Sequence, residues 1–245
     1  MTALRLAPRA VLFDLDGLIL DTEAIVWEIM PVVAAQFGVS LDRTLFLDLI
    51  GRHGPDVEDR LLAAWGRDFP LDKFKQGTQA AWRAWTDAKP IPVKPGLDAL
   101  IDCLDRRGIK RAIATSTRHA RALNKLKCAG LQGRFDTVIG GDMVKEGKPA
   151  PDIYLLAAER LGVAAEDCVV LEDSEPGARA GLAARATVLL IPDMKPPSDE
   201  LARLVHAVLP SLDHAMSLIE AAHAAVHPEK ALDSGRLIDS AGRDR

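Results

Sequence analysis

Cysteine and aromatic residues are scarce: three cysteines in 245 residues, and an aromatic share of 4%. Cys103, Cys128 and Cys168 are odd in number, far apart and form no CxxC pair. That excludes a disulfide framework and a thiolate metal site, and leaves reduced, mostly buried thiols. So few rings also exclude a stacking platform for single-stranded nucleic acid. No apolar run approaches the ~20 residues that cross a bilayer, and the run that ends at Ile191 is stopped by Pro192. Arg5 and Arg9 precede an apolar run in the manner of a signal peptide, but Asp14 and Asp16 interrupt it. A cytoplasmic protein without a secretory leader is therefore expected. Positive charge is not in excess: 31 Lys and Arg stand against 35 Asp and Glu, a net −4. Nothing in this balance draws the chain to nucleic acid or to an anionic membrane. No internal repeat is found. What remains is ordinary globular material, 48% hydrophobic and 27% charged, with enough chain to bury a substantial core.

Its organisation follows from periodicity. Ala10 to Phe13 is a continuous apolar run that ends in Asp14, the pattern of a parallel strand buried on both faces. Lys110 to Ala114, Asp136 to Ile139, Cys168 to Leu171 and Thr187 to Ile191 read the same way. Helical patterns lie between them, at Leu97 to Arg107, Arg118 to Cys128, Pro151 to Leu161 and Pro176 to Ala184. Such alternation predicts an α/β fold, a doubly wound parallel sheet. From Asp21 to Lys89 the alternation fails and no strand is found. Ile25, Ile29, Val32 and Val33 share one helical face, with Pro31 expected to kink or end that helix. Leu41 to Ile50, Asp56 to Trp65 and Leu71 to Trp85 complete an all-helical insertion, and Pro90, Pro92 and Pro95-Gly96 mark the return to the sheet.

Four chemical signals sit at the predicted strand ends, where open parallel sheets bind ligands. Asp14-Leu15-Asp16-Gly17 is an acid pair that also suits a turn or helix cap; Leu18 excludes an EF-hand loop. Thr115-Ser116-Thr117 offers hydroxyls before a helix N-terminus, an oxyanion cradle or a simple cap. Lys148 lies in a loop stiffened by Gly147 and Pro149. Glu172-Asp173 is a second acid pair, of the oxygen chemistry a hard divalent cation takes, or the start of a capped helix. The order is the stronger signal. Four acids repel one another unless a cation neutralises them, while Lys148 and the Thr115 hydroxyl face an incoming anion.

VLFDLDG, ATST, KPAPD and LEDS resemble the four motifs of the haloacid dehalogenase-like hydrolase superfamily, over about residues 10–191. The branch resembled is that of beta-phosphoglucomutase- and phosphoglycolate-phosphatase-like enzymes. The resemblance implies a Rossmann-like core over residues 1–19 and 91–225, a helical cap over 20–90 and a polar tail over 226–245. It implies a magnesium-dependent phosphatase that hydrolyses a small sugar or polyol phosphate through an aspartyl-phosphate. Asp14 would be the nucleophile and Asp16 the general acid and base. Thr115, Ser116 and Lys148 would bind the phosphoryl oxygens. Mg2+ would be held by Asp14, the Asp16 carbonyl, Asp173 and, directly or through water, Glu172. The two acids need different environments, Asp14 ionised and Asp16 able to hold a proton. Thr22, Glu23, Trp27, Arg52 and His53 are the expected cap contacts, and His119 begins a helix beside the phosphate site. Trp82 and Trp85 are expected to pack rather than bind. The partner is a small phosphorylated metabolite, with no nucleic acid and no membrane, and the chain is expected as a monomer or weak homodimer.

Three other readings stay open. Phosphomutases of the beta-phosphoglucomutase type carry a histidine ten residues after the acid/base aspartate, where this chain has Val26. A metal-independent 2-haloacid dehalogenase would leave Asp16 and the Glu172-Asp173 pair without a task. An inactive regulatory homologue would be expected to have lost motif acids that are all present here.

Overall fold

The computed structural model describes residues 3–4, 7–50 and 54–226. Its strands are β1 (Ala10–Phe13), β2 (Lys110–Thr115), β3 (Thr137–Gly140), β4 (Cys168–Glu172), β5 (Thr187–Leu190) and β6 (Ala207–Val208). They form one sheet in the order β3-β2-β1-β4-β5-β6, parallel throughout. The first five match the apolar runs to within a residue at each end. They are apolar on both faces because helices cover both faces. Val11 and Phe13 turn to one side with Ile113, Val169, Leu171 and Leu189. Ala10 and Leu12 turn to the other with Ala112, Ala114, Val170 and Val188.

The first side is covered by α5 (Leu97–Arg107), α6 (His119–Cys128) and α10 (Leu212–Val226). The second is covered by α7 (Asp152–Leu161), α8 (Glu175–Ala183) and α9 (Asp199–Leu204). Each fully buried Leu, Ile or Val on these faces contributes roughly 1.5–3 kcal/mol. The chain builds from β1 outward to β3, then crosses back to β4 on the far side of β1. The crevice beyond the carboxyl ends of β2, β1 and β4 is the switch point where such sheets bind ligands. Cys103 and Cys168 are buried and Cys128 partly so, and all three are free thiols.

Four helices occupy the insertion: α1 (Thr22–Gln36), α2 (Arg43–Leu49), α3 (Gly54–Trp65) and α4 (Leu71–Ala88). Phe46, Leu61 and Phe74 are buried at its centre. Pro31 neither ends nor breaks the first helix, contrary to expectation: α1 runs through it. An internal proline costs about 3 kcal/mol, but Ile25, Ile29, Met30, Val33 and Ala34 are all buried on the same helix, and their packing outweighs that cost. Val32, read as part of that face, is instead 63% exposed.

The insertion leaves and rejoins the sheet through one narrow ribbon. Leu20 bridges Val93 in antiparallel fashion. The Asp21 N–H donates to the Pro92 carbonyl at 2.9 Å, and the Lys94 N–H to that of Ile19 at 2.9 Å. Lys94 Nζ then ties Asp21 (2.9 Å) to Asp193 (2.6 Å), just beyond β5. The elements α9, β6 and α10 were not expected from the sequence. Beyond Val226 the polar tail lies outside the described residues. No helix among the described residues is long and apolar enough to cross a membrane.

Candidate active site

The buried polar or charged residues among those described are Asp14, Thr22, Thr115 and Glu172. All four belong to the predicted site. Three lie at or just beyond the ends of adjacent strands. Asp14 follows β1 and its N–H still donates to the Leu171 carbonyl of β4 at 3.0 Å. Thr115 ends β2 and Glu172 ends β4. A cavity of about 530 Å³ opens at this edge, lined by Asp14, Thr115, Asp16, Ser116, Lys148 and Asp173, with Glu172 beneath its floor.

Lys148 reaches down from its loop, which contains a cis peptide bond before Pro149. Its Nζ contacts Asp14 Oδ1 and lies 2.6 Å from Glu172 Oε1. Burial alone would lower the lysine, but Asp14 and Glu172 more than offset it and raise it above its ordinary value. Burial raises the Asp14 carboxyl; Lys148 opposes this, and the charges of Glu172 and Asp16 add to it.

Glu172 is saturated inside the protein. Oε1 accepts from Lys148 and from the Tyr154 hydroxyl at 2.6 Å. Oε2 accepts the Asp173 N–H and Ser174 N–H, both at 3.1 Å, and the Ser174 hydroxyl at 2.9 Å. Every lone pair it would offer a cation is thus in use. Glu172 acts in this geometry as the anchor of Lys148 and of its own loop, in place of the direct metal contact that was one expectation.

Asp16 is held on both oxygens. Oδ1 accepts from the Thr22 hydroxyl (2.9 Å) and Lys125 Nζ (2.6 Å), and Oδ2 from the Thr117 hydroxyl (2.7 Å). Burial would raise this carboxyl, but the Lys125 charge and these hydrogen bonds outweigh it and hold it below its ordinary value. Thr115 Oγ1 accepts the Thr117 N–H at 3.1 Å and so shapes the loop between them.

Three acids, Asp14, Glu172 and Asp173, share one buried lysine. Burial raises Asp173 well above its ordinary value, and the charges of Glu172 and Asp14 raise it further. Gly17, at φ +86°, leaves room for it: a Cβ there would lie 2.2 Å from Asp173 Oδ2. Among the described residues no three Asp, Glu, His or Cys side chains form a ready metal cluster. Mg2+ needs fewer, since it keeps several waters and takes one or two carboxylates. The deficit of positive charge fits such an ion, and the missing side chain at Gly17 lets the Asp173 carboxylate sit close to the chain there.

Of the expected cap contacts, Thr22 and Glu23 reach the site. Glu23 lines the cavity, with Ile50 and Asp56 from the same insertion. Burial raises its carboxyl to about 7, helped by the charges of Asp16 and Asp193. Trp27 packs against Phe46 instead, their rings tilted by 50° with centres 5.0 Å apart. Arg52 and His53 lie outside the described residues. The His119 backbone N–H donates to Asp142 at 2.7 Å, and among the described residues its buried ring Nδ1 has no hydrogen-bond partner. Trp85 donates to Glu28 at 3.0 Å, within the insertion. Tyr154, Lys125 and the wall formed by 193–197 were missed, and Thr117 was read only as part of its motif, with no role at Asp16. Tyr154 is the chain's one tyrosine, and Thr117 lies inside the ATST motif. Lys125 carried no sequence signal.

The model of the haloacid dehalogenase-like hydrolases matches residues 8–185. The chain belongs to that family. The phosphorylated carbohydrates phosphatase of Thermotoga maritima is 32% identical over 92% of this chain and 97% of its own. Hexitol phosphatase A of Escherichia coli is 31% identical over 82% of this chain and 91% of its own. The crystal structure of CbbY from Rhodobacter sphaeroides in complex with phosphate superimposes with a TM-score of 0.70 at 30% identity, over 84% of this chain and 95% of that one. This haloacid dehalogenase-like hydrolase is a phosphoric monoester hydrolase.

Proposed function

We propose that the chain is a magnesium-dependent phosphatase of small sugar or polyol phosphates. The observation that carries the reading is the burial of Asp14 against Lys148 beside the Thr115 hydroxyl, at the switch point of the sheet. A carboxylate oxygen meets there a cradle suited to a phosphoryl group. The names of the phosphorylated carbohydrates phosphatase and hexitol phosphatase A support the substrate class.

In this reading Asp14 attacks phosphorus and forms an aspartyl-phosphate, which divides one hard displacement into two easier ones. Lys148 and Thr115 hold the phosphoryl oxygens, together with the backbone at Ser116. Mg2+, held by Asp14, Asp173 and the Asp16 carbonyl, would offset the charge between nucleophile and phosphate. Asp16 takes the proton of the water that hydrolyses the aspartyl ester. That same proton then goes to the leaving alkoxide of the next turnover, so Asp16 serves as base and acid in turn. The insertion, residues 20–90, acts as a cap that excludes water and chooses the leaving group through Glu23 and its neighbours.

A phosphate-release screen of phosphorylated sugars and hexitols, with Mg2+ and with EDTA, tests the reading. Release from these esters that EDTA abolishes is the expected result. Release undiminished by EDTA, or confined to esters of other classes, would overturn it. Glucose 1-phosphate with a trace of bisphosphate distinguishes the mutase, which would give glucose 6-phosphate in place of free phosphate. Position 26 argues against that outcome, since Val26 packs beside the hydrophobic core and lines a different cavity.

A further inference from the structure

Three donors hold the Asp16 carboxylate, and they come from three parts of the chain: Thr22 opens α1, Thr117 follows β2, and Lys125 stands well along α6. Hydroxyls swivel, so the two threonines alone do not fix a direction. Lys125 does. Its Nζ lies 2.6 Å from Asp16 Oδ1 and 3.4 Å from the Thr117 hydroxyl, so it aligns both the acid and one of the acid's other partners. A lysine at that place on a helix ordinarily snorkels to water. This one has only 12% of its side chain exposed.

The stem of Lys125 is itself held. Its ammonium sits 5.4 Å from the centre of the Trp82 ring, on α4 of the insertion. An indole face attracts a cation most strongly of the aromatic side chains, the more so away from water. The ammonium is thus fixed between a ring on the insertion and a carboxylate on the sheet's edge.

We propose that Lys125 is a positioning residue that aims the Asp16 carboxylate at the leaving-group oxygen, and that Trp82 sets Lys125 in turn. The seating of the insertion then governs the direction of proton transfer. This rests on the reading of Asp16 as acid and base given above. In the step concerned, an Asp14 oxygen bonds to phosphorus while the P–O bond to the leaving group breaks. The electron pair passes to the leaving oxygen, which receives its proton from Asp16.

The test is the dependence of kcat/KM on the leaving group, over aryl phosphates from para-nitrophenyl to para-methoxyphenyl. kcat/KM ends at formation of the aspartyl ester, so later hydrolysis does not enter. Poor leaving groups need the proton and good ones do not. Loss of the aimed acid should raise the para-nitrophenyl to para-methoxyphenyl ratio about tenfold in D16N and nearly as much in K125M. K125R should restore most of the ratio, and W82L should shift it in the same direction while W82F, which keeps a ring face, should not. If D16N leaves the ratio unchanged, the acid/base reading fails and the proposal falls with it. If D16N shifts the ratio but K125M slows all esters by one factor or changes only KM, the proposal alone is overturned. Should K125M not fold, K125Q is judged by the same criteria.

Discussion

Lys148 lies 2.6 Å from Glu172, and neither side chain has more than 4% of its surface exposed. The pair is a buried charge couple at the carboxyl edge of the sheet, and only one of its members faces the cavity. Lys148→Met should therefore act twice. In the proposed mechanism it removes a cation aimed at the transferring group, worth about 10²–10³ in kcat. It also leaves Glu172 buried without a counter-charge, a loss of about 3–5 kcal/mol. Denaturant melts and phosphate release, measured on one preparation, check both. A variant as stable as the wild type would show that the pair contributes little to the fold.

Asp14→Asn should abolish turnover and keep the fold. The amide matches the carboxylate in shape but cannot form the aspartyl ester. Circular dichroism checks the fold, and phosphate release above about a tenth of the wild-type rate would count against Asp14 as nucleophile.

Tyr154→Phe removes one donor to the buried Glu172 carboxylate. A hydrogen bond to a charged group is worth about 2 kcal/mol, so the melting temperature should fall by roughly 4–8 °C. Activity should fall less than in Lys148→Met, because Lys148 keeps both of its acids. An unchanged melting temperature would mean that water replaces the phenol.

Gly17→Ala should separate metal affinity from fold. Its Cβ would meet Asp173 Oδ2 at 2.2 Å, at a φ of +86° that alanine rarely adopts. Displacement of Asp173 should lower turnover about a hundredfold and weaken Mn2+ binding followed by electron paramagnetic resonance. Wild-type Mn2+ affinity in this variant would remove Asp173 from the metal site.

Glu23 gives a pH dependence with a definite sign. Its carboxyl stands at 4.5 in the unfolded chain and is raised to about 7 when folded. Between those values the folded state binds more protons, so stability falls as pH rises through the window. Glu23→Gln removes that penalty. In EDTA, the variant should gain stability over the wild type on passing from pH 4.5 to pH 8, by an amount on the order of 1 kcal/mol after allowance for partial exposure. Thermal melts at the two ends check it. A difference that shrinks toward high pH would contradict the burial of this charge.

The sheet and its motif loops were legible because each buried parallel strand is an unbroken apolar run that ends abruptly in a polar residue. Ala10–Phe13 before Asp14 and Cys168–Leu171 before Glu172 are such runs. Other parts were hidden by the same logic. β6 is two residues at the edge of the sheet, too short to show a period. Helix α1 continues through Pro31 because tertiary packing overrides a local penalty, which no local rule reports. Among site residues, those inside motifs were found and those arriving from a helix face were not. Lys125 reaches Asp16 across 109 positions of chain, and nothing around it in sequence marks it. Glu172 was read as a cation ligand, directly or through water, and only the five hydrogen bonds it accepts from four residues reveal an anchor.

The bridge between Leu20 and Val93 has an architectural consequence. The two points where the helical segment is spliced into the sheet are neighbours in space. The surrounding chain would close over its removal with a tight turn and no rearrangement of the strands. A segment so attached is a cassette. Exchange of residues 21–92 for the equivalent span of a homologue requires that the small ribbon re-form and that the incoming helices again supply a hydroxyl to Asp16 and a ring face to Lys125, as Thr22 and Trp82 do here.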